Sequence, residues 1–95
     1  MNPDLQQFLD SLAERKGVQH ADTILACIED SRDLAVHGEE GVGFENLCQN
    51  LLEWDFPLTK EDYAKIERLG LYYRFPEDTW SFLKKLLIAA SSTKP

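Results

Sequence analysis

Apolar residues recur at three- and four-residue intervals along most of this chain, which is the spacing of one face of an α-helix. The first such segment begins at Pro3, carries basic residues in its last turn and is expected to end at Gly17. The second covers about residues 21–37 and is expected to end at Gly38. The pattern therefore opens with two amphipathic helices.

An acidic corner is predicted over residues 38–43, where Glu39 and Glu40 stand between glycines. Glycine lets the backbone turn sharply, so both carboxylates are expected to stay exposed. A third helix is predicted over about 42–55 and ends before Pro57, since proline disfavours helical angles in the residue before it.

The apolar stripe of this third helix consists of Phe44, Leu47, Cys48 and Leu51. Leu52 and Trp54 fall outside the stripe, so the helix either buries a wide face or offers a second surface to a partner. Trp54 stands between two acids, and two interpretations remain open. It is either a core tryptophan with solvated neighbours or an aromatic anchor for a basic partner.

The last third of the sequence predicts two more helices. An extended link, residues 56–58, leads to Thr59, which is suited to cap a fourth helix that Gly70 ends or bends. The alternating side chains of residues 71–76 could form a short strand. Because a single strand would have no partner to pair with, a helix end or an aromatic connector is favoured. A final helix is predicted over 76–90, followed by a frayed tail at 91–95.

Five amphipathic segments with short breaks and no hairpin signals predict an all-α fold, a compact single-domain bundle of about five short helices over residues 1–95. The length suffices for one hydrophobic core. No fixed repeat or low-complexity tract interrupts this pattern.

The charge is concentrated in the middle of the chain. The formal net charge is −7, and residues 29–62 hold ten acidic residues against Arg32 and Lys60 alone. A field of this sign repels nucleic acid and anionic membranes and attracts basic proteins. The plainer alternative is an acidic surface that keeps the protein soluble.

The candidate binding residues are the acids of this middle region together with the tryptophan that they flank. They are Asp30, Asp33, Glu39, Glu40, Glu45, Glu53, Trp54 and Asp55. Each acid taken alone is well explained as part of a solvated face. Their concentration around an aromatic residue favours a surface that mimics the charge of a nucleic-acid backbone and covers a basic groove.

The residues offer little for catalysis or for a cofactor. Cys27 and Cys48 lie on separate apolar faces and are expected to be buried thiols, with a disulfide between them left open but unsupported. His20 and His37 stand at helix boundaries and are too isolated for a metal site. We therefore expect no enzyme activity, no metal and no cofactor, and a hydrolase that depends on His37 is the least favoured class.

The N-terminal residues show no secretory signal, and no apolar run is long enough for a membrane span. The chain is therefore expected to be cytoplasmic, to bind neither membrane nor nucleic acid, and to be monomeric until it meets a protein partner.

The central stretch resembles the MafI-like family of small bacterial immunity proteins, which protect cells from polymorphic toxins such as those of contact-dependent growth inhibition. The resemblance lies in an acidic glycine corner, a Phe-Glu-Asn-Leu-Cys run, an acid-aromatic-acid triplet before proline, and a spaced apolar set. Its residues are His37, Gly38, Glu39, Phe44, Glu45, Asn46, Leu47, Cys48, Leu51, Leu52, Glu53, Trp54, Asp55, Phe56, Pro57, Leu58, Tyr63, Ile66 and Leu69.

This resemblance implies a chain that binds one cognate toxin domain, plausibly a basic nuclease, as a heterodimer and blocks it without chemistry. The alternative function is an acidic helical adaptor that binds a basic cellular protein. An immunity gene is expected directly downstream of a large toxin gene, and this position would separate the two.

Overall fold

The computed structural model describes residues 1–15 and 19–88, and within them the fold is all-α. Four α-helices are followed by two short 3₁₀ helices. The α-helices are α1 (Pro3–Ala13), α2 (Ala21–Val36), α3 (Glu40–Glu53) and α4 (Lys60–Tyr72), and the 3₁₀ helices are Glu77–Thr79 and Ser81–Leu86. The predicted all-α bundle is confirmed. α1 ends at Ala13, so the prediction that it runs to Gly17 with basic residues in its last turn was wrong. The tail 91–95 lies outside the described residues.

Local side chains start α1 and α4. The Asn2 side chain accepts hydrogen bonds from the backbone N–H groups of Asp4 and Leu5, and Pro3 occupies the first helical position. At α4, Thr59 and Asp62 form a reciprocal capping box, which confirms the predicted N-cap.

The helices α2, α3 and α4 end in the same way. In each, one residue takes a left-handed conformation, namely Gly38, Asp55 or Arg74. The residue after it then donates its N–H back across the last turn, in the pattern of a Schellman motif. These bonds are Glu39 to Leu34 at 2.8 Å, Phe56 to Leu51 at 3.0 Å and Phe75 to Gly70 at 2.9 Å. The link between α2 and α3 is therefore only a few residues long.

The helices α2 and α3 form an antiparallel helical hairpin, which we call the α2–α3 hairpin. Gly43 lies against Ser31 near the corner, where a β-carbon would come within 2.8 Å of the Ser31 carbonyl oxygen. The Ser31 hydroxyl donates a hydrogen bond of 3.0 Å to the Gly43 carbonyl. At the opposite end, the rings of His20 and Trp54 are 5.0 Å apart.

The corner of the hairpin differs from the sequence prediction. α3 begins at Glu40, so Gly41 and Gly43 are helical rather than part of a corner over 38–43. Gly43 allows α2 to approach α3 closely, because it has no β-carbon to meet Ser31. The packing of the two helices outweighs the low helix propensity of glycine. Of the three glycines at this corner, only Gly38 has a left-handed φ, 84°, which favours glycine.

Two predictions for the C-terminal part were also wrong. Gly70 does not end α4, because it lies inside the helix against the indole of Trp80. The single helix over 76–90 is instead the pair of 3₁₀ helices. Trp80, which joins them, and Leu83 and Leu86 of the second helix are buried at three-residue spacing. Ala90, once placed on that helix, is outside the described residues.

The core lies between the hairpin, α1, α4 and the second 3₁₀ helix. Its largest fully buried side chains include Phe8, Phe44, Phe56 and Trp80. Leu58 pairs with residues 86–88 through backbone hydrogen bonds of 2.9 Å to Leu86 and Ile88. Residues 71–76 form a helix end and a connector, as the sequence favoured.

Candidate protein-binding surface

The α2–α3 hairpin carries most of the chain's exposed negative charge. Residues 21–55 contain nine carboxylates, and eight of them are exposed in the structure. Arg32 is the only lysine or arginine in the same range. Its guanidinium lies 3.0 Å from Asp10 and 3.5 Å from Glu29, so it is paired within the chain. The hairpin therefore presents carboxylates with almost no free positive charge.

The eight candidate residues are spread along this hairpin. Glu39 and Glu40 lie at its corner, whereas Glu53 and Asp55 lie at the far end of α3. The 14 residues of α3 separate the two groups by about 21 Å at the usual rise of 1.5 Å per residue. A partner that touched all of them would have to lie along the hairpin.

Asp30 on α2 and Glu53 on α3 both act on the thiol of Cys27. Burial is the main cause that raises the pKa of this thiol, and the two carboxylates raise it further. Asp33 lies one turn beyond Asp30 on α2, and Glu45 is exposed on α3.

Trp54 is half-buried and packs against the core as well as against His20. Leu52 packs against the core in the same way, so α3 buries a wide face. Asp55 has a φ of 50° in the turn that ends α3, so its position is set by helix termination. The tryptophan is thus partly a core residue and only its remaining surface is open to a partner.

Glu40 is not the free carboxylate that the sequence predicted. Its Oε1 accepts hydrogen bonds from the Tyr73 hydroxyl at 2.6 Å and from the Asn2 backbone N–H at 3.1 Å. Its Oε2 lies 3.5 Å from the terminal ammonium of Met1. Glu40 therefore joins the start of α1, the start of α3 and the end of α4, and the expectation of full exposure was wrong.

This network shifts two pKa values in opposite directions. The hydrogen bond from Tyr73 has the largest effect on the pKa of Glu40 and lowers it; burial opposes this, and the Asn2 amide and terminal ammonium add to the lowering. Burial, followed by the hydrogen bond to Glu40, raises the pKa of the Tyr73 phenol. Glu40 is thus ionised and Tyr73 protonated at neutral pH.

The Glu40 network predicts a stability that depends on pH. The pKa of Glu40 is lowered from 4.5, so the ionised carboxylate stabilises the folded state above that pH and loses this effect as the pH falls through the lowered pKa. We expect Glu40→Gln to reduce the free energy of unfolding by about 1 kcal/mol at neutral pH. Urea denaturation between about pH 3 and pH 7 measures this. The difference in the free energy of unfolding between the variant and the parent protein should shrink towards pH 3. A difference that stayed constant with pH would contradict the stabilising role of the ionised Glu40 carboxylate.

Six large apolar side chains are exposed in the described part of the chain. They are Met1, Leu25, Val36, Val42, Leu71 and Tyr72.

The remaining reactive groups show little sign of chemistry. Cys48 is buried and Cys27 half-buried, both thiols are free, and burial raises the pKa of Cys48 to about 12. His37 is exposed, and its Nδ1 lies 2.8 Å from the carbonyl oxygen of Asp33. Among residues 1–15 and 19–88, no three His, Cys, Asp or Glu side chains are grouped so that they could hold a metal ion.

None of the helices in the described ranges combines the length and the apolar character that a membrane span needs. Comparison with known protein families, characterised proteins and solved structures finds no match. The resemblance to immunity proteins therefore stays a prediction.

Proposed function

We propose that this protein is an immunity protein that binds one cognate toxin domain, a basic nuclease of the contact-dependent inhibition type, and neutralises it as a heterodimer. The observation that carries the proposal is the α2–α3 hairpin, with eight exposed carboxylates and one arginine that is already paired. The resemblance of the same stretch to MafI-like immunity proteins adds to it.

The distribution of the basic residues supports the same function. The exposed cations of the described chain lie on α4 and in the segment after it, namely Lys60, Arg68, Arg74, Lys84 and Lys85. The same region also carries four exposed acids, Glu61, Glu67, Glu77 and Asp78, so the uncompensated negative charge is that of the hairpin. The exclusion of free cations gives the hairpin a negative field, which attracts a basic groove over a distance.

Inhibition of this kind requires no reaction by the immunity protein. Carboxylates spaced along about 21 Å of helix occupy the positions that successive phosphates of a nucleic acid would take in a basic groove. The toxin is then blocked because its substrate cannot approach. The affinity comes from burial at the interface, while the charges raise the association rate and orient the partner.

Charge reversal on the hairpin tests the proposal. The variant carries Asp30→Lys, Asp33→Lys, Glu45→Lys and Glu53→Lys, all at exposed helical positions. We expect its association rate with the toxin domain to fall on the order of 10-fold or more at low salt. The loss should shrink as salt rises, because screening weakens the attraction in the parent protein. Stopped-flow fluorescence or surface plasmon resonance measures both rates.

The matched control reverses four exposed acids outside the hairpin, with Glu61→Lys, Glu67→Lys, Glu77→Lys and Asp78→Lys. Both variants have the same net charge, so a difference between their association rates reports on where the reversed charges lie. We expect the control to associate within about twofold of the parent. Equal losses in both variants, with both folded by circular dichroism, would contradict an interface on the hairpin.

A further inference from the structure

A cavity of about 90 Å³ lies between α1, α2 and the segment that follows α3. Most of its walls are apolar, and they include Leu12, Ile24, Leu25, Ile28 and Phe56. Leu25 is 44% exposed, whereas the other four side chains are buried in the core. The cavity therefore reaches from the core to the surface of the α2–α3 hairpin.

The size of this cavity limits what it can bind. Pockets for drug-sized molecules have volumes of about 300–1,000 Å³, so this one is too small for such a ligand or for an organic cofactor. A dry apolar cavity of about 150 Å³ holds benzene. A volume of about 90 Å³ thus has room for part of one side chain, and the apolar walls favour hydrocarbon.

The charges at the cavity specify that side chain. Arg15 and Asp22 both line it. The Arg15 guanidinium is already paired, since it lies 3.0 Å from Asp62 and donates to the Pro57 carbonyl at 3.1 Å. Asp22 is exposed in the first turn of α2, and no hydrogen bond or ion pair joins its side chain to another described residue. The uncompensated charge at the cavity is therefore negative.

We infer that this cavity binds one long cationic side chain, a lysine or arginine, of the basic toxin domain. The hydrocarbon part of that side chain packs against the apolar walls, while its charged end lies at the Asp22 carboxylate. This inference rests on the proposed function and names the contact that holds the complex together. The other hairpin carboxylates then orient the toxin domain, and the cavity slows its dissociation.

Asp22 is a binding residue that the sequence analysis did not select, because it lies apart from the acids of residues 29–62. Only the packing of α1 and Phe56 against α2 distinguishes it from a solvated acid.

The first test removes the charge of Asp22 and keeps the size of its side chain. We expect Asp22→Asn to lower the affinity for the toxin domain encoded beside this protein's gene on the order of 10-fold, mainly through faster dissociation. Asp30→Asn is the matched control, since it neutralises an exposed acid of the same helix outside the cavity. The control should bind within about twofold of the parent. Surface plasmon resonance measures both rates.

The second test fills the cavity. Ala21 is exposed and lines it, so the larger side chain of Ala21→Leu should occupy its opening. We expect the affinity to fall on the order of 10-fold. Ala26→Leu is the control, because Ala26 is exposed on the same helix and does not line the cavity. It should bind like the parent protein, and thermal melting verifies that all four variants fold.

The outcomes separate this inference from the function beneath it. Tight binding by the parent together with unchanged binding by Asp22→Asn and Ala21→Leu overturns the inference and leaves the function in place. A loss in Ala21→Leu alone would assign an uncharged side chain to the cavity and overturn the cationic one. Equal losses in the two controls would also overturn the inference. Failure of the parent to bind the toxin domain overturns both the inference and the function.

Discussion

Replacing Asp62 with alanine should destabilise the protein by about 3 kcal/mol, since it leaves a partly buried arginine without its partner. The Asp62 side chain is only 6% exposed and lies 3.0 Å from the Arg15 guanidinium. It also accepts the Thr59 backbone N–H at 2.9 Å, which completes the capping box of α4. The same arginine donates to the Pro57 carbonyl at 3.1 Å and lies over the Phe56 ring.

This arrangement joins the end of α1 to the start of α4, so its loss should lower the stability of the whole fold. Urea denaturation measures the change in the free energy of unfolding. Glu61→Ala is the control, because Glu61 is the neighbouring acid in the same first turn but is exposed. We expect Glu61→Ala to lower the free energy of unfolding by less than about 0.5 kcal/mol. Similar losses in the two variants would show that Asp62 acts only as a surface charge.

Gly70→Ala should also destabilise the protein, by about 2 kcal/mol, although alanine favours helices over glycine by up to about 1 kcal/mol. A β-carbon at Gly70 would overlap the indole ring of Trp80, which is 1% exposed and packed in the core. The overpacking outweighs the gain in helix propensity. Thermal or urea denaturation gives the sign and the size of the effect.

Gly41→Ala is the matched control for this prediction. Gly41 is also helical, but a β-carbon there would lie 3.7 Å from Phe75, an ordinary contact distance. The substitution should leave stability unchanged or raise it slightly. If alanine were as harmful at Gly41 as at Gly70, the close approach of Trp80 would not be the cause.

The helices that depend on local signals were predictable. Thr59 and the acids after it indicated the start of α4, and Gly38 indicated the end of α2. Gly70 was interpreted as a residue that ends or bends α4, and Gly43 was assigned to the corner as well as to the start of the third helix. Each lies inside a helix because another element packs against it, and that contact is not visible in the neighbouring sequence.

The same limit applies to the C-terminal part and to the candidate site. Trp80, Leu83 and Leu86 follow a three-residue spacing that fits 3₁₀ geometry, but the sequence pattern of Trp80, Leu83 and Leu87 also suited an α-helix. The exposure of the hairpin acids was predictable from helix periodicity, as the structure confirms for Asp30, Asp33 and the others outside Glu40. The role of Glu40 depends on contacts between distant parts of the chain, which periodicity does not reveal.

The central claim is that this protein neutralises a toxin by binding it, and growth of bacteria that express the toxin domain encoded next to its gene tests this most directly. Cells that also express the parent protein should grow normally and yield a stable one-to-one complex. Cells with the hairpin charge-reversal variant should be poorly protected, while cells with the control reversal should be protected. Arrested growth in the presence of soluble parent protein, with no complex recovered, would contradict the account.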